Sequence, residues 1–337
     1  MTAGTTGTTG PTDTTGTTVQ AAGIAVSDPR TDPRWLELAR GPLGNLFVSP
    51  PWISAVCDTY GFEPVCRMAL RPGAGPDGDR AIAGLAWVPV RDMCGERVLA
   101  LPFSDHATPP VADARAWPAL VEGIARPEVP FTLRCFADSV PARAGDLRRT
   151  GAAAWHGTAV GTDPDALFAR LSGHARRNVR IAERGGVVVE TSTGIEAVRR
   201  FHTLHRTLRT DKYRLLAQPL ALFERIWEAF APGDAIVTAL ARAGDEVVAG
   251  AVFLVWGDVL YYKFGASLRE HLALRPNDAV FWAGLRLAVE RGLRLLDWGL
   301  SDLDQPGLVA YKRKWAPEER TIVTLRSGGE AAPDVTE

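Results

Sequence analysis

The chain has 337 residues and a formal net charge of −1, with 46% hydrophobic and 23% charged residues. That length suits two domains of about 150 residues or one large domain. The composition excludes collagen, a wholly disordered chain and a small disulfide scaffold, and the neutral balance argues against a globally basic nucleic-acid binder while leaving room for a local basic patch.

The first 28 residues are a Thr/Gly tract with no aromatic side chain and almost no charge. Such a stretch cannot bury a core, so residues 1–30 are expected to form a disordered tail, with order beginning near Asp32. The tract lacks a basic region followed by an apolar run, which argues against a secretory signal. The longest apolar stretches, such as Val247–Trp256, are strand-length and well short of the roughly 18 residues of a membrane span. Cys57, Cys66, Cys94 and Cys135 show no metal-ligand spacing. A cytoplasmic protein with reduced thiols, no metal and no integral membrane contact is the expectation.

Ser49–Tyr60 reads as a helix, with Ser-Pro at its start and Gly61 past its end. Val65–Leu70, Ala81–Pro89 and Arg97–Leu101 read as strands, Ala112–Ala125 as a helix and Phe131–Phe136 as a buried strand. After about residue 160 a second set begins. Asp163-Pro164 opens a helix, Ala175–Arg184 is a basic helix and Val187–Glu190 a strand. Gly194–Arg209 and Pro219–Phe230 are amphipathic helices. Ala235–Ala241, Glu246–Trp256 and Val259–Gly265 are strands, and Asp278–Arg291 is a helix capped by Asn277 or Asp278. Arg294–Trp298, a short helix over 307–313 and Thr321–Leu325 complete the series.

Four segments carry a resemblance. They are LFVSPPWISAVCDTYG with LALPFSDHATP, then HARRNVRIAERGGVVVE, then RPNDAVFWAGLRLAVERGLRLLDWGLSD, then GLVAYKRKWAPE. In this order they resemble FemAB-like proteins of the GNAT acyltransferase superfamily, over roughly residues 45–325. The resemblance implies an α+β chain with mixed sheets and two tandem GNAT-like lobes, the first degenerate. An N-terminal lobe would span 31–160, a C-terminal acyltransferase lobe 161–328, and a disordered tail 329–337. It also implies amide formation onto an amine. Aminoacyl-tRNA is the leading donor, and a peptidoglycan precursor or another small amine is the acceptor. No cofactor would be bound permanently and no DNA partner is expected.

Two departures bear on the donor. Trp315 is followed by Ala316 where the family pattern has Gly, a strained replacement if that position needs a positive φ. The loop Arg275-Pro276-Asn277-Asp278 lacks the glycines with which CoA-dependent relatives cradle a pyrophosphate, and Asp278 is expected to repel one. A CoA or carrier-protein thioester donor is therefore the alternative, and a non-catalytic binding module a further one. No long heptad stretch matches the helical tRNA-binding insertion of cell-wall relatives, which leaves the mode of donor recognition open.

The chain holds only 4 Lys against 34 Arg, a bias that fits a GC-rich coding sequence, so each Lys merits inspection. The resemblance places Lys312, in the Tyr-Lys-x-x-Trp turn with Tyr311, near the donor or the developing charge. Asp297 ends a strand before Trp298-Gly299, where it either faces a cleft or caps a turn. Asp105, in a loop after a strand, either takes the proton of the amine or caps the loop. Lys263 and Tyr261 are expected on one face of a strand and Tyr262 and Phe264 on the other, one of them lining the substrate groove. Asn277, Lys212 and Tyr213 are further binding candidates. His174–Arg214 holds 10 Lys/Arg against 4 Asp/Glu, and Arg177 and Arg180 share a helix face that can pair with phosphates or simply be solvated.

Overall fold

The computed structural model describes residues 23–72, 78–93, 95–124, 126, 128–210 and 214–327. The first half supplies six strands: β1 Gly23–Ser27, β2 Val65–Arg71, β3 Arg80–Asp92, β4 Gly95–Leu99, β5 Phe131–Phe136 and β6 Arg148–Ala159. The second half supplies six more: β7 Val187–Ser192, β8 Ile236–Ala243, β9 Glu246–Trp256, β10 Val259–Ser267, β11 Leu295–Asp302 and β12 Glu318–Arg326. All twelve join one sheet in the order β1-β2-β3-β4-β5-β12-β6-β11-β10-β9-β8-β7.

That order is a pseudo-two-fold. Read inward from either end, each half presents its own first five strands and then the last strand of the other half. β12 pairs with β5, and β6 pairs with β11, both antiparallel. Only β4 with β5 and β10 with β11, equivalent positions in the two lobes, are parallel among the described pairs. In strands, then, the first lobe is complete. Its helices are what has shrunk: α1 Pro33–Arg40, α2 Pro50–Tyr60, α3 Trp117–Val121 and α4 Val140–Ala144. The second lobe carries α5 Pro164–Arg170, α6 Gly173–Arg184, α7 Ile195–Leu208, α8 Leu220–Phe230, α9 Pro276–Glu290 and α10 Pro306–Lys312.

Local signals fix several of these. The Ser49 hydroxyl accepts from the Trp52 N–H, Pro50 sits in the first turn, and Gly61 ends α2 at φ 68. Three expectations need correction. Order begins before Asp32, because Gly23–Ser27 gains a full ladder on Leu70–Cys66. The helix expected over Ala112–Ala125 contracts to the single turns around α3, ahead of Gly123 at φ 68. β6 is the element that periodicity does not reveal. Its run Gly151-Ala152-Ala153-Ala154 has weak strand propensity, yet β12 and β11 pair with it on either side.

Apolar side chains also lock the lobes together. Leu46, Phe47, Trp52 and Val56 of the first half share one buried cluster with Phe201, Phe223, Ile226, Leu254 and Tyr261 of the second. Each large side chain so buried contributes roughly 1.5–3 kcal/mol. The relative position of the lobes is therefore set by core packing rather than by a linker.

Candidate active site

β10 and β11 pair only over Val259–Tyr261 with Leu295–Asp297. Beyond that point both strands leave their register. β10 is irregular between Tyr262 and Phe264, and β11 between Asp297 and Leu300, where Gly299 adopts φ 70. The irregularity overturns the simple alternation expected for β10. Tyr261 and Phe264 pack into the same cluster, while Tyr262 packs into the one beneath α9.

The first lobe fills the gap with Asp105. Its Oδ2 accepts from the Leu300 N–H at 3.1 Å, and its Oδ1 lies 2.5 Å from Lys263 Nζ. A Cβ on Gly299 would collide with Asp105 Oδ2, so glycine is required there both for φ and for space. Lys263 Nζ sits 5.1 Å from the ring centres of Phe47 and Trp52 and 5.5 Å from that of Phe264. The ammonium is thus boxed by aromatic faces, a favourable arrangement for a desolvated cation.

Lys312, the last residue of α10, is 4% exposed and donates to Leu300 O at 2.7 Å and Gly299 O at 3.3 Å. The Asp297 carboxylate accepts from the Gly299 N–H at 2.6 Å and is also buried. Burial pushes the Lys312 ammonium down to about 8, against the pull of Asp105 and Asp297. Burial likewise lifts Asp297 to about 7, only partly offset by its hydrogen bonds. Burial would raise Asp105 too, but the charge and hydrogen bond of Lys263 outweigh it and hold Asp105 below the usual carboxylate range. Two carboxylates beside one glycine, Asp297 by chain position and Asp105 by folding, are driven in opposite directions.

Lys312 opens onto a groove of about 700 Å³ lined by Tyr262, Gly265, Asn277, Phe281, Leu308 and Tyr311 among others. Phe281 is its floor, stacked on Trp298 at 4.3 Å and touching Tyr262, Tyr311 and Trp315. The Trp315 carbonyl accepts from Thr158 of β6, whose hydroxyl also receives the Trp298 indole, both at 2.8 Å. The exchanged strand therefore braces the Tyr-Lys-x-x-Trp turn. Ala316 is buried and keeps a negative φ, so the strain considered for it does not arise.

Lys312, Asp297, Asp105, Lys263, Tyr262, Asn277 and Tyr311 are brought to this cluster or its groove. Lys263 and Asp297 face inward onto protein partners. Asn277 donates to Ser267 Oγ at 3.0 Å. Neither Asn277 nor Asp278 caps α9: Arg275, in the left-handed region at φ 56, stands at that position. Asp278 is turned into the protein, where it accepts from Asn178 of α6 at 3.1 Å, and burial raises its carboxyl. The carboxyl expected to repel a diphosphate therefore does not line the groove. Arg177 and Arg180 lie exposed on α6, away from the cluster, with Arg180 over the Phe168 ring. Lys212, Tyr213 and Cys94 lie outside the described residues. Sequence reasoning passed over Gly299, Leu300 and the aromatic box around Lys263. The Asp-Trp-Gly triplet was the one available signal for the first of these.

Residues 169–313 match the family described as acetyltransferase (GNAT) domain. No curated protein matches the chain. Among solved structures the chain is similar to FemX, with TM-score 0.63 and 17% identity, over 84% of this chain and 93% of that one. It is also similar to a tandem GNAT protein from the clavulanic acid biosynthesis pathway, with TM-score 0.51 and 14% identity, over 92% of this chain and 99% of that one. L-PGS from Bacillus licheniformis follows at TM-score 0.50 and 14% identity, covering 78% and 86% of the two chains. The fold is that of tandem GNAT proteins, and the second lobe carries a GNAT acyltransferase domain.

Proposed function

We propose that this acyltransferase joins an activated acyl or aminoacyl donor to an amine acceptor, with aminoacyl-tRNA as the leading donor and a small amine or peptidoglycan precursor as acceptor. One observation carries the reading: Asp105 of one lobe and Lys312 of the other meet at Gly299-Leu300, where β10 and β11 part. Amide formation needs an amine relieved of its proton, a stabilised oxyanion and a donor held close. Each Asp105 oxygen is engaged once, to Lys263 and to Leu300, and a carboxylate oxygen can accept twice. Asp105 is thus left to hold the acceptor's ammonium in place; a carboxyl kept below its ordinary range is a weak base, so the ammonium sheds its first proton to solvent. Lys312 stands across the joint as the fixed positive charge for the developing oxyanion. The amine nitrogen attacks the acyl carbon, the ester or thioester bond breaks, and the alcohol or thiol leaves with the second proton that the nitrogen gives up. No enzyme-bound acyl group intervenes. Asp297 holds the Gly299 turn that aligns both groups.

The exposed Arg177 and Arg180, within the basic stretch 174–214, support a phosphate-rich donor. An acyl-CoA donor is the second reading. It is favoured by the inward turn of Asp278, which leaves the start of α9 free of a facing carboxylate. A mass-spectrometric assay of charged tRNAs and acyl-CoAs with simple amines tests both. RNase-sensitive amide product supports the first reading and free-thiol release supports the second. If no donor yields an amide, or if Lys312→Ala leaves the yield unchanged, the proposal falls.

A further inference from the structure

The groove beside Lys312 does not end at Ser267. It runs past Leu208 and Ser267, which line both parts, into an outer chamber of about 360 Å³ walled by Thr207, Leu268 and Leu272. Hydrocarbon lines most of this path. Tyr262, Phe281, Leu308 and Tyr311 flank the inner part, and three leucines the outer. Apolar side chains of the lining also stand in water, with Leu272 41% and Leu308 38% exposed. Single exposed leucines are ordinary, but a cluster at the mouth of one groove is a mark of ligand contact.

The polar complement narrows the occupant. The charged residues of the outer chamber are Arg269 and Glu270, opposite in sign and exposed at its edge. A phosphate would need unopposed positive charge there, but Arg269 is matched by Glu270 in the same lining, and Asn277 and Ser267 are already paired with each other. A flexible aliphatic chain needs none. Its polar end would lie at Lys312 and its tail among the leucines.

We infer that this groove binds a medium-length hydrocarbon chain, carried either by the acyl donor or by the amine acceptor. The inference rests on the amide-forming reading only for which end reacts. The test titrates the full-length protein with two series, n-alkylamines from butyl to decyl and acyl-CoA thioesters from acetyl to decanoyl, followed by calorimetry. Affinity is expected to rise about fourfold per added methylene in the series that fits, the equivalent of about 0.8 kcal/mol per buried CH₂. That series identifies the carrier. Leu272→Asp and Leu268→Asn, with folding checked by circular dichroism, are expected to flatten the slope. Affinity independent of chain length in both series, or a slope unchanged in both variants, overturns the inference. Amide formation from short donors with a flat series would sink this inference alone. Chain-dependent binding without amide product would support it and sink the reaction assigned above.

Discussion

Asp105 Oδ1 and Lys263 Nζ lie 2.5 Å apart, although 158 positions separate them in the chain. The pair ties the first lobe to β10 with side chains only 19% and 9% exposed. Removing one partner leaves the other charge without compensation. Lys263→Met is expected to destabilise the protein by about 3 kcal/mol in chemical denaturation, and pairing it with Asp105→Leu to recover much of that loss. Additive losses would show that the pair is not coupled. The pH dependence has a definite sign. Asp105 is held below its ordinary value of 3.8, so its contribution is full above that value and disappears as pH falls through the lowered one.

Gly299→Ala combines two costs, a left-handed φ worth about 1–2 kcal/mol and a methyl group in the place of Asp105 Oδ2. Stability should fall by about 2 kcal/mol or more, with amide formation lost disproportionately because Asp105 must move. Urea melts and turnover on the same sample check both. Retained turnover would separate Asp105 from the chemistry.

Lys312→Met is expected to lower the rate by about 10²–10³ fold, the usual cost of losing one oxyanion stabiliser. Its stability signature is separate. Burial lowers this amine from 10.5 to about 8, so the unfolded chain binds the extra proton between those values and wild-type stability rises with pH across that window. The variant should lack that rise. Denaturation midpoints from pH 7 to 11 decide the matter.

If the reaction needs Asp297 ionised and Lys312 protonated, the pH–rate profile is a narrow bell with limbs near about 7 and about 8. Asp297→Asn should remove the acidic limb while leaving the alkaline one. An acidic limb that survives the substitution would assign it to another group.

What the sequence showed and what it hid divide along physical lines. α2 was legible because Ser49, Pro50 and Gly61 punctuate it locally, and β9 because Val247–Trp256 is a clean apolar run. The scarcity of lysine pointed at Lys263 and Lys312, and both lie in the cluster. The partners of Lys263 were not legible, since Phe47, Trp52 and Asp105 reach it only through folding of the other lobe. β6 was hidden for a related reason. Its strand character comes from neighbours on both edges, while its own Gly and Ala residues favour no sheet. Asn277-Asp278 looked like a cap because short polar residues before an apolar run usually are, but Asp278 was taken instead by Asn178.

The exchange of β6 and β12 also sets a timetable. About 180 residues separate the end of β5 from the start of β12, the strand that covers its edge. At roughly 5–20 residues per second, a ribosome needs on the order of ten to forty seconds to deliver that cover. Throughout that interval the nascent first lobe carries an unpaired, apolar strand edge, open to neighbouring chains. The last strand made is the one that lets the first lobe close, so termination anywhere between Phe136 and Glu318 leaves both halves unfinished.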